Sequence, residues 1–160
     1  MLKLLLLFTL TVGLMGCSSR STPAKLPPSA TLEVYTIADA KSPSTTEAID
    51  PLTDKPLFLQ NPPIVTAADV ATVARSEIEV EMVDGSPSQS TQIALNVELT
   101  SAGAKKMAAA TATPMGNPIA VVIDGQVVAT PRLHSQINGS FQISGGGARF
   151  TSALEALTKP

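Results

Sequence analysis

The sequence predicts an α+β domain, a mainly antiparallel sheet with helices packed on one face. Three observations carry that expectation. Glu77–Val83 and Gln92–Leu99 each alternate apolar with polar residues around a polar turn. Asp124-Gly125 sits between two β-branched runs. Helix-start residues recur at Thr66, Thr100 and Thr151, so that helices interrupt the strands without alternating with them one for one.

Taken in order, Thr31–Ala38 has Leu32, Val34 and Ile37 at spacings that suit a first strand. Asp39–Lys55 contains Pro43, Pro51 and many Ser, Thr and Asp residues, and reads as a long surface loop, the first place a protease should nick. Pro56–Gln60 is a short strand that Asn61-Pro62-Pro63 stops, because proline donates nothing to a ladder. Thr66-Ala67-Ala68-Asp69 has capping-box spacing and predicts a brief helix with Val70 and Val73 facing inward. The next two strands form a hairpin across Asp84–Ser90, with Glu77, Glu79 and Glu81 on its wet face, where they keep the sheet soluble.

Thr100 or Ser101 caps a second helix through Thr111, which Pro114 and Gly116 end. Lys105 and Lys106 read as ordinary surface charges of that helix. Asn117–Ile123, the type I′ turn Asp124-Gly125 and Gln126–Thr130 make a second hairpin. Asn138-Gly139 marks another turn, Phe141–Ser144 a last strand, and Gly145–Gly147 a flexible exit before a helix capped by Thr151 that carries Leu154 and Leu157. Leu95, Val97, Val121, Ile123, Val128, Ile143 and Leu154 are the expected core. No internal repeat is evident.

The first residues read as an address. Lys3 precedes the apolar run Leu4–Val12, which is shorter than the about 20 residues of a spanning helix and has the form of a signal peptide. Leu14-Met15-Gly16-Cys17 resembles a bacterial lipobox, which implies acylation of Cys17, by palmitate-type chains, and cleavage before it. The expected organisation is therefore a signal peptide over 1–16, a Ser/Pro-rich tether over 17–29 and a domain over 30–160. Such a lipoprotein faces the extracytoplasmic side of a bacterial membrane, and the resemblance of Ser18 to Gram-negative sorting signals favours the outer membrane.

Composition narrows the chemistry. With 11 Lys+Arg against 13 Asp+Glu the net charge is −2, which offers no footprint for nucleic acid. Removing residues 1–16 takes away Lys3, leaving 10 against 13, or about −3. Aromatics are 3% of the chain, too few for stacking platforms. One Cys and one His exclude a disulfide framework and the usual zinc clusters, so no metal and no cofactor are expected. A hydrolase would need His134 as base with Asp124 as its acid partner, but an Asp in an Asp-Gly turn serves the backbone, and no Ser occupies a G-x-S-x-G elbow. Gly145–Gly147 lacks the Lys-Ser/Thr ending of a phosphate loop.

The run Ile119–Pro131, then Ile137, Gly139, Gln142-Ile143-Ser144-Gly145 and Phe150-Thr151, together with the Leu95-Asn96-Val97 strand and the Thr100, Gly103-Ala104 helix start, resembles the head of the first extracytoplasmic domain of the SecD/SecDF protein-export subunit. The resemblance covers roughly Glu77 to Lys159 and weakens before it. It implies a non-catalytic domain that contacts extended polypeptide, by strand addition or in an apolar groove. A second reading is an envelope lipoprotein with one dedicated structural or regulatory partner; hydrolysis is a distant third. The candidate partner surface is the Asp124-Gly125 hairpin and the strand Val127 to Leu133: Asp124, Gly125, Val127, Ala129, Pro131 and Leu133. Pro131 there either leaves an edge for a partner or blocks one.

Overall fold

A computed structural model describes residues 21–81, 89–112, 118–145 and 147–158. Cys17 and the signal segment, the hairpin turn as far as Ser88, and the Pro114/Gly116 helix stop lie outside them. The domain is α+β with two antiparallel sheets. Strands β1 (Leu32–Ala38), β2 (Thr45–Ile49), β3 (Pro56–Gln60), β6 (Ile119–Ile123) and β7 (Gln126–Ala129) form one, in the order β2-β3-β1-β6-β7. Strands β4 (Val70–Glu81), β5 (Gln89–Leu99) and β8 (Ser140–Gly145) form the other, with β5 central. Helices α1 (Ser101–Ala110) and α2 (Ala148–Thr158) complete it.

The near-continuous apolar sequence of β6 follows from its position: all five residues are buried, because both faces of its sheet are covered. Ile119, Val121 and Ile123 join Leu32, Val34, Leu95, Val97 and Ile143 in the main core, onto which α1 places Met107 and α2 places Phe150, Leu154 and Leu157. Ala120 and Val122 face the other way, against Leu57, Leu59 and Val127. That second cluster lies inside a curl of the sheet, whose outer strands approach where the Thr130 hydroxyl donates to Asp50 Oδ1 at 3.3 Å. All seven residues expected in the core are buried in the main core.

The elements depart from the sequence expectations in four places. The stretch Asp39–Lys55 contains β2, an edge strand paired with β3 from Thr45↔Gln60 to Ile49↔Pro56. Only Thr45 and Ala48 are half-buried in it, so no apolar alternation announces it. The helix after Thr66 is a single 3-10 turn, Ala67–Asp69. Val70, Thr72 and Val73 continue as strand, where β-branched side chains lose less rotamer freedom, and pair with Leu99, Glu98 and Val97. Thr151 lies inside α2, its N–H and hydroxyl both reaching the Gly147 carbonyl at 3.2 Å, because the chain turns helical directly after Gly147 at φ 103°. Finally, residues 21–29, expected as a free tether, lie against the domain: Ala24 bridges Val73, and Leu26 packs on the core.

Candidate binding surface

The turn at Asp124 (φ 48°) and Gly125 (φ 76°) is the left-handed pair a type I′ hairpin requires. Asp124 also fastens the start of β1: its Oδ1 accepts the Thr31 N–H at 2.8 Å, and its own N–H donates to the Thr31 carbonyl at 3.2 Å. Val127 is turned into the second apolar cluster at 6% exposure. Ala129 and Pro131 lie at the opposite end of the hairpin, on the wall of a groove of about 510 Å³. Leu133 packs on the main core and lines an adjoining cavity of about 230 Å³ with Arg132, His134 and Ile137. The six sequence-chosen residues therefore divide between the turn, the interior and the groove.

The groove runs between two strands that end their sheets. β7 is the last strand of the five-stranded sheet and β8 of the three-stranded one, so each carries a row of backbone N–H and C=O groups with no strand neighbour among the described residues. Pro131 costs the first sheet nothing, since its carbonyl accepts the Ile119 N–H at 3.1 Å and continues the pairing with β6. Opposite, Gln142, Ser144 and Gly145 of β8 line the groove, with Arg149 and Phe150 of α2 at its end. Gln142 is held by a polar row across its sheet: its Nε2 donates to Asn96 Oδ1 at 2.8 Å, and Asn96 Nδ2 donates to Ser76 Oγ at 2.8 Å.

The β2–β3 loop supplies the rim that sequence reasoning missed. Asp50 accepts from the Leu52 N–H at 3.0 Å and the Thr53 hydroxyl at 2.9 Å, shaping a tight loop that presents Leu52 at 81% exposure beside Pro51. The visible signal was an apolar residue inside an otherwise polar loop.

Away from the groove, Asp69 is the one acidic side chain among the described residues that is buried, at 5% exposure. Its carboxylate takes both bonds of the Lys106 ammonium at 2.8 Å and the Thr66 N–H at 3.1 Å. Burial pushes its pKa up, but Lys106 and Thr66 outweigh that and hold it below its ordinary value. Lys106 is thus a fastening between α1 and the start of β4, in addition to being partly solvated. Among the described residues no three of His, Cys, Asp and Glu group where a metal ion could be held, and no helix is long and apolar enough to cross a membrane.

Fold and groove together define a small α+β domain that offers paired, open strand edges. The family model for the SecDF P1 head subdomain matches residues 44–156, and the chain belongs to that family. A solved structure of SecDF, described as a membrane component that enhances protein export, is similar at 23% identity and a TM-score of 0.47. The match covers 80% of this chain and 60% of that one, so the chain spans well under the full length of its solved relative. No curated protein matches the chain.

Proposed function

We propose that the protein is a lipid-anchored module of the bacterial cell envelope that binds extended polypeptide without catalysing a reaction on it. The observation that carries the reading is the groove of about 510 Å³ flanked by the free edges of β7 and β8. An extended chain entering it gains main-chain hydrogen bonds, which do not depend on its sequence, while Leu52, Ala129 and Pro131 offer apolar contact to its side chains. Membership of the SecDF head family supports a secreted or emerging polypeptide as the occupant. The lipobox resemblance at Cys17 supports attachment to the extracytoplasmic side of a membrane, the outer one in a Gram-negative cell.

The test is photocrosslinking in intact cells from probes placed at Ala129 and Ser144, on the two walls of the groove. Capture of many unrelated secreted chains is expected from both. One stoichiometric envelope protein would replace this reading with that of a dedicated partner. Cys17→Ser should release the protein from membranes; unchanged retention would remove the anchor from the proposal.

A further inference from the structure

The three-stranded sheet has two outer edges, and one of them is already occupied by this chain. Ser21 and Ala24 lie antiparallel along β4: the Ser21 N–H donates to the Arg75 carbonyl at 2.8 Å, the Ala24 N–H to the Val73 carbonyl at 2.9 Å, and the Val73 N–H back to the Ala24 carbonyl at 2.8 Å. The Ser21 hydroxyl adds a fourth link by accepting the Arg75 N–H at 2.6 Å. Side chains 21–25 are exposed, so this pairing rests on backbone and one hydroxyl, and half-buried Leu26 fixes the other end.

We infer that this segment is a strap that orients the domain on the membrane, with the Glu81 end of β4 towards the lipid and the Asp69–Thr100 end away from it. The inference rests on the proposed anchor at Cys17. Because strap and strand are antiparallel, moving from Ala24 back to Ser21 corresponds to moving along β4 from Val73 to Arg75, towards Glu77 and Glu81. Only the links from Cys17 to Ser21 then separate lipid from domain, and four residue steps span at most about 14 Å. A free tether running from Cys17 to Ala30 would reach about 45 Å and would leave every orientation open. The strap shortens that reach and gives it a direction. The groove, bounded by β8 alongside β5, then stands upright on the bilayer.

Energy transfer measures this directly. The full-length lipoprotein is labelled through Glu77→Cys or Ala102→Cys, both at exposed positions, and reconstituted in zwitterionic vesicles carrying a headgroup acceptor. Glu77 and the strand end near Ala102 are separated along β4 by about 24 Å. Transfer several-fold stronger from position 77 than from position 102 is expected. Ala24→Pro removes a strap donor and should lower the signal at 77 and abolish the difference. Inserting a Gly/Ser stretch after Arg20 leaves the pairing intact and should have the same effect, which separates lost reach from lost folding. Equal transfer from the two positions in vesicle-bound protein, or no response to either change, overturns the strap while leaving the anchor standing. Failure of the unmodified protein to float with vesicles removes the anchor, and the strap's orienting role with it.

Discussion

The two outer edges of the three-stranded sheet receive opposite treatment. β4 is covered by residues 21–24 and pinned at its start by Asp69, whose carboxylate is ion-paired to α1; β8 runs open along the groove. Both edges carry the same backbone groups, and both flank the same buried centre of β5, where Leu95 and Val97 are fully enclosed. Core packing therefore does not explain the difference. What separates the edges is what lies outside them, and the edge left open beside a groove, in a fold that closes its counterpart, is the one to which the proposed function assigns another chain.

Breaking the fastened side should have the largest effect. Gly103 lies against Asp69 so closely that a Cβ would stand 2.5 Å from the Asp69 carbonyl oxygen and 2.8 Å from its Cβ. Gly103→Ala must push α1 off the start of β4, and a loss of about 2 kcal/mol is expected from chemical denaturation. The ion pair adds a pH signature. Asp69 is held below its ordinary carboxyl pKa of 3.8, so its contribution is fully present above that value and is lost as pH falls through the lowered one. Asp69→Asn should flatten that acid limb; an unchanged acid limb would show that the pair does not stabilise the fold.

A smaller effect comes from uncovering β4. Ala24→Pro removes the donor to Val73, and amide exchange at Val73 and Arg75 should accelerate by the equivalent of about 1 kcal/mol, while the outward amides of β8, already open, stay as they were. If β8 amides accelerate in step with those of β4, the two edges are not independently protected and the contrast between them fails.

How far this contrast was legible in the sequence depends on what kind of signal each part leaves. The Asp124-Gly125 turn, the alternating strands and the buried residues from Leu95 to Leu154 are written in side-chain chemistry and spacing, and they lie where that chemistry puts them. β2 left no such trace, because Thr45-Thr46-Glu47 is an edge whose side chains are mostly wet. The strap left none either: Ser and Pro have little to bury, but backbone pairing needs no burial. The groove was half visible. Ala129 and Pro131, two of the six residues singled out in the sequence, both line it, whereas its other wall depends on β8 pairing with β5 across a long sequence gap, which no local pattern encodes.

The smallest expected change in stability, and the sharpest test of the open edge, is at Leu52. At 81% exposure it contributes almost nothing to the folded core, so Leu52→Ser should alter stability by no more than about 0.5 kcal/mol. Its side chain stands at the groove, and covering part of it with a bound peptide would supply about 1 kcal/mol, or roughly a fivefold change in Kd. Titration of a fluorescent extended peptide should show that weakening. Ile49 is the matched control: it is also a large exposed apolar residue, at 48%, but it lies on β2 and does not line the groove. Ile49→Ser removes a smaller exposed apolar area, so non-specific adhesion would weaken in both variants in proportion to the area removed, whereas occupancy of the groove weakens in Leu52→Ser alone. Losses in proportion to exposed area would move the binding surface away from the β7 and β8 edges and leave the open edge without an occupant.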